Sequence, residues 1–159
     1  MPKSILIHEN GGPEKMQLEE VEVGSPGPGQ VKIKHTAIGL NFIDVYTRSG
    51  LYQTEMPNAV GREAAGVIVE VGPKTRGFKK GDRVAYCGVL GAYCQERVMG
   101  VEQLVHVPKG VSDEQAVLAG AVERDEAEEV VVVAELLRLG RGHLLRRIEL
   151  GRVLEHLVA

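Results

Sequence analysis

Within the twelve residues from 41 to 52 the chain gathers an amide, two opposite charges and three aromatic rings. Asn41 brings a group that both donates and accepts hydrogen bonds, Asp44 a carboxylate, Arg48 a forked guanidinium, and Tyr46 and Tyr52 flat faces with hydroxyl tips. The whole chain holds only six aromatic residues, and three of them, Phe42, Tyr46 and Tyr52, fall in this window. Scarce planar side chains with polar groups at their rim suit the binding of a flat ligand. Each residue also has a purely architectural reading. Asn41 can cap a helix, Asp44 can favour its N-terminal dipole, Tyr46 can fill a core, and Arg48 can be solvated.

The elements around this window must position it. Residues 41–48 open on a capping residue, place apolar side chains at 42, 45 and 46, and stop at Ser49-Gly50, which predicts a short helix. Elsewhere the first 110 residues read as strands. Residues 4–8 form a short apolar run closed by the turn-forming Asn10-Gly11-Gly12-Pro13. Residues 16–23 alternate, as do Val31 and Ile33 against Lys32 and Lys34. Residues 67–71, 83–86, 93–98 and 104–107 add four further short strands, and the Pro/Gly tract at 24–29 must be an exposed loop. This spacing predicts a mainly β domain, a barrel or a sandwich. Ser112 and Gln115 fit a capping box and start a second helix.

Composition narrows the class. The chain has 159 residues, 43% of them hydrophobic, which is enough for one domain with an appendage. A net charge of −3 offers no basic field for nucleic acid or an anionic membrane surface. No run approaches the ~20 apolar residues of a membrane span, and Met1-Pro2-Lys3-Ser4 does not open a signal peptide, so a cytoplasmic protein is expected. Cys87 and Cys94 lack the spaced Cys or His partners of a structural zinc site and are expected to be reduced.

Three stretches carry a family resemblance. Ala37-Ile38-Gly39-Leu40-Asn41-Phe42-Ile43-Asp44-Val45-Tyr46-Thr47-Arg48-Ser49-Gly50-Leu51-Tyr52 is followed by Gly61-Arg62-Glu63-Ala64-Ala65-Gly66-Val67-Ile68 and by Lys80-Gly81-Asp82-Arg83-Val84. Together they resemble the quinone oxidoreductase, zeta-crystallin-like branch of the medium-chain dehydrogenase/reductase family. The resemblance runs from about Ile5 to Ala119 and also takes in Gly91-Ala92-Tyr93. It implies a GroES-like, partly open β-barrel with short helices over residues 1–119. It further implies NADPH as cofactor and a quinone or other small conjugated carbonyl compound as substrate. By that resemblance Asn41, Tyr46 and Tyr52 form the catalytic set, and Asn41, Asp44, Tyr46 and Arg48 contact the cofactor. Zinc alcohol dehydrogenases of the same superfamily carry Cys at the position of Asn41 and His at that of Arg62. An amide and a guanidinium cannot replace those ligands, so no metal is expected.

Residues 120–159 differ in kind. They hold six arginines and no lysine or proline, whereas all eight lysines and all seven prolines lie earlier. Their partial apolar periodicity, broken by Gly140, Gly142 and Gly151, predicts a helical or disordered tail unrelated to the family, of the composition a shifted reading frame produces. The family's Rossmann domain is expected to be absent. The nearest approach to its fingerprint, Gly140-Arg141-Gly142-His143-Leu144-Leu145, has no third glycine. The expectation is therefore a truncated NADPH:quinone oxidoreductase lacking full activity, with oligomerisation possible but the family's dimerisation domain missing. The alternatives are a non-enzymatic module binding a small molecule or a protein, and a fragment without function.

Overall fold

Strand β3 (Gln30–Leu40) organises the molecule and ends at the candidate site. A computed structural model describes residues 1–122 and the two-residue strand Val131–Val132. The rest of the expected tail lies outside the described residues. In its first half β3 alternates, with Val31 and Ile33 fully buried and Lys32 and Lys34 turned outward. From Ala37 to Leu40 it is buried continuously. β3 pairs antiparallel with β5 (Glu63–Val71) over most of its length and with β7 (Glu96–Gly100) over residues 30–34. β6 (Arg83–Cys87) and β8 (Val105–His106) extend this sheet in the order β7-β3-β5-β6-β8. A second sheet has the order β2-β1-β4, from β1 (Lys3–Ile7), β2 (Gln17–Glu20) and β4 (Asn58–Ala59). The two sheets do not close into one barrel.

Residues 93–95 join the sheets. Ile5 N–H donates to the Tyr93 carbonyl at 2.8 Å, Gln95 N–H to Lys3 at 2.8 Å, and His35 N–H to Gln95 at 2.9 Å. The strand expected at 93–98 therefore begins only at Glu96, because the preceding residues serve two sheets at once. The strand expected at 16–23 is likewise shortened to Gln17–Glu20. Beyond it Val21 keeps one backbone bond, to Pro2 at 2.9 Å.

Ile7, Val31, Ile33, Ile38, Ile68 and Val84 are wholly buried between the sheets. Each such side chain contributes about 1.5–3 kcal/mol relative to exposure. A separate seat is made of small residues. Ala37, Ala65 and Ala85 lie side by side on β3, β5 and β6, and their short side chains let helix α2 (Asp113–Val122) approach, with Val117 packed on them. The expected capping box holds it: Ser112 N–H donates to Gln115 Oε1 at 2.9 Å and Gln115 N–H to Ser112 Oγ at 3.1 Å. Arg83 on β6 pairs with Asp113 at 2.5 Å, fixing the start of the helix to the sheet.

Candidate functional site

β3 runs directly into helix α1 (Phe42–Ser49), with Asn41 as N-cap in extended conformation and Gly50 ending the helix at φ 89°. Glycine tolerates that left-handed turn without strain. The first turn is tied inward. Asn41 N–H donates to Asp44 Oδ2 at 3.0 Å, and the Tyr93 hydroxyl donates to the same oxygen at 3.0 Å. Burial raises the Asp44 carboxyl above its ordinary value, while these two donors, the Gly61 N–H and the Arg62 charge pull it back. Burial also holds the Tyr93 hydroxyl well above 10, so it stays a donor.

The last turn is tied as well. Arg48 is buried, and its Nη1 donates to the Gly11 carbonyl at 2.6 Å. Gly11 N–H returns a bond to the Arg48 carbonyl at 3.1 Å, and the Asn10 amide donates to Arg48 and Thr47 carbonyls at 3.2 and 3.3 Å. Asp44 and Arg48 therefore face the fold, not the open surface.

Tyr46 and Tyr52 are the reverse case. They are 39% and 48% exposed, and their rings meet edge to face, centroids 5.8 Å apart at 82°. The Tyr52 N–H donates to the Tyr46 carbonyl at 3.2 Å, which folds the chain back after the helix. Phe42 stands 6.3 Å from Tyr46, completing a row of three rings on the outer side of α1.

Asn41 connects this exposed row to a buried group the sequence reading left without a role. Its amide Nδ2 donates to Glu63 Oε1 at 2.9 Å, and Glu63 is only 2% exposed. The Cys87 thiol lies 3.6 Å from the other carboxylate oxygen. The carboxylate fits because Gly39 faces it: a Cβ at Gly39 would overlap the Glu63 oxygen. A lone acid opening the apolar strand Glu63-Ala64-Ala65-Gly66, opposite a glycine in another strand, was the available signal. Pairing it with Gly39 requires the β3–β5 register. Arg62, next in line, has its Nε buried without a hydrogen-bond partner.

Among the described residues, no group of three or more His, Cys, Asp and Glu side chains is placed to hold a metal ion, and no helix is long and apolar enough to cross a membrane. At the site the Asn41 amide is bonded to Glu63, and the Arg62 charge acts on Asp44.

Comparison with known proteins gives a consistent picture. Residues 27–135 match the alcohol dehydrogenase GroES-like domain family, a span that continues past Ala119. A 2-haloacrylate reductase of Burkholderia is 49% identical over 125 residues, which is 76% of this chain and 38% of that protein. A quinone oxidoreductase of Pseudomonas aeruginosa is 47% identical over 118 residues, 73% of this chain and 36% of that protein. Among solved structures, quinone oxidoreductase of Pseudomonas syringae superposes with a TM-score of 0.70 at 46% identity, covering 74% of this chain and 37% of that one. Escherichia coli quinone oxidoreductase complexed with NADPH also gives 0.70, at 38% identity, over 72% of this chain and 36% of the other. The chain thus spans little more than a third of the length of the relatives it matches.

Proposed function

Since the chain belongs to the alcohol dehydrogenase GroES-like domain family, we propose that it forms the substrate-side domain of a zinc-independent reductase that transfers a hydride from NADPH to a quinone or similar conjugated carbonyl compound. One observation carries this reading: two exposed tyrosine rings, held edge to face, stand on and just past the end of the helix whose N-cap amide is fixed by a buried carboxylate. Flat faces beside a fixed hydrogen-bonding group are what a planar carbonyl acceptor and a nicotinamide ring both require.

The residues present fit such a cofactor. The exposed rings of Tyr46 and Tyr52 can lie against a planar heterocycle, and the half-buried Asn41 can hydrogen-bond a carboxamide. NADPH, when bound, supplies the hydride. The chain's own residues bind and orient: Tyr46 and Tyr52 set the plane of the acceptor, and Asn41 meets its polar edge. Asp44 and Arg48 act one step back, pinning the two ends of α1 so that the rings keep their place. With an amide and a guanidinium at the positions of the zinc ligands, an acceptor carbonyl is polarised by hydrogen bonds and not by a metal. Relatives named quinone oxidoreductase and 2-haloacrylate reductase support the class of acceptor.

The test is a titration of the isotopically labelled chain with 1,4-naphthoquinone. Backbone shifts should concentrate at residues 41–52 and 61–63, and the double variant Y46A/Y52A should weaken binding at least tenfold. Saturable binding with shifts on another face, or no binding, would overturn the reading.

A further inference from the structure

Glu63 is a carboxylate buried to 2% exposure with no lysine or arginine bonded to it among the described residues. Such burial is costly unless the oxygens are matched. One oxygen takes the Asn41 Nδ2–H at 2.9 Å and the other lies 3.6 Å from the Cys87 thiol, inside a slot that exists because Gly39 has no side chain. At this contact Glu63 Oε1 accepts and the Asn41 amide nitrogen donates. Glu63 therefore determines which end of the Asn41 amide points inward: the nitrogen. The amide oxygen faces the first turn of α1, in the capping box with Asp44. With one Nδ2 hydrogen directed to Glu63, the second has no bond among the described residues, and Asn41 is half-buried, so that hydrogen remains available to a ligand.

Resting on the function proposed above, we propose that Glu63 is a positioning residue: acting through Asn41, it makes the site present an N–H donor, so that the ligand group received there is an acceptor, a carbonyl oxygen. The pairing with a carboxyl oxygen also polarises the amide and strengthens its remaining N–H as a donor. Cys87 on β6 and Glu63 on β5 thus transmit the register of the sheet to the orientation of one side chain on α1.

The variants E63Q, E63L and G39A in the full chain test this, with two readouts: the Asn41 side-chain NH2 resonance and the affinity for 1,4-naphthoquinone. Glutamine keeps an acceptor oxygen. E63Q should therefore hold the Asn41 resonance near its wild-type position and the affinity within about twofold. E63L, and G39A, which fills the slot while leaving Glu63 in the sequence, should shift and broaden that resonance and weaken binding by about tenfold, the loss of one hydrogen bond. If E63L and G39A fold with an unchanged Asn41 resonance and unchanged affinity, the proposal is wrong. Should both fail to fold, the wild-type chain decides. The Asn41 NH2 group must show a scalar coupling to the Glu63 carboxyl carbon across the hydrogen bond, and absence of that coupling overturns the positioning role. If naphthoquinone does not bind the wild type, the function proposed above fails. The Asn41 resonance still reports whether Glu63 orients the amide.

Discussion

Tyr93 sets the local electrostatics of the first turn of α1. Its hydroxyl is one of two donors bonded to Asp44 Oδ2, and the other carboxylate oxygen, Oδ1, is buried with no well-aligned hydrogen bond, although the Gly61 N–H acts on the carboxyl. Removing the donor in Y93F should destabilise the chain by about 1–3 kcal/mol, read as a lower denaturant midpoint. The loss should depend on pH. Because burial raises the folded-state carboxyl of Asp44, the protonated form is favoured in the fold, and the stability this gives at low pH is lost as pH rises through the folded value. Y93F raises that value further, so its penalty is larger at pH 7 than near pH 4, and equal penalties would refute the assignment. At this scale the sequence is half legible. Residue type singles out Asn41, Asp44, Tyr46, Arg48 and Tyr52 alike, and only the family resemblance narrows the catalytic set to Asn41, Tyr46 and Tyr52. The inward direction of Asp44 and Arg48 depends on Tyr93 and Gly11, 49 and 37 residues away, which no local pattern reveals.

At the scale of elements, β3 carries a second polar chain away from the site. His35 Nδ1 donates to the Cys94 carbonyl at 2.8 Å, which leaves Nε2 to accept from the Tyr86 hydroxyl at 3.1 Å. Tyr86 in turn accepts from Arg97 Nη1 at 3.2 Å, with the guanidinium 5.2 Å from its ring centroid. The imidazole is thus held neutral between β6 and β7. Burial first, and the Arg97 charge as well, lower His35 to about 4. Between pH 6.5 and about 4 the unfolded chain takes up a proton that the folded chain refuses, so stability falls across that window by on the order of 3 kcal/mol. H35N removes this proton uptake. Its stability deficit relative to wild type should shrink as pH drops from 6.5 toward 4, and a constant deficit in urea melts would show that His35 does not titrate as described. Element existence was readable from alternation and capping, as at Val31/Ile33 and Ser112/Gln115. Element length was not. The small residues Ala37 and Gly39 give no strand signal, yet they extend β3 to the site because α2 and Glu63 need the space they leave.

Across the whole molecule, the buried apolar residues described run from Ile7 to Val117. Truncating one of these fully buried side chains, as in I68A, should lower the unfolding free energy by about 2–5 kcal/mol in a single cooperative transition. A change below about 1 kcal/mol in denaturant melts would place Ile68 outside the core. The mainly β, partly open architecture was legible from strand spacing and from three motif stretches. The joining of the two sheets through residues 93–95 was not, since those residues look like the start of one strand.

Helix α1 is fastened at both ends, by Asp44 to Tyr93 at the first turn and by Arg48 and Asn10 to the β1–β2 turn at the last. A helix of eight residues has no stability of its own in water, so its shape here is borrowed entirely from those anchors. The rings it displays sit on a backbone that has already surrendered its freedom before any ligand arrives. On the function proposed above, a planar molecule settling on them would order side chains more than main chain, which keeps the entropic penalty of association small. The backbone shape such a ligand would need is already in place.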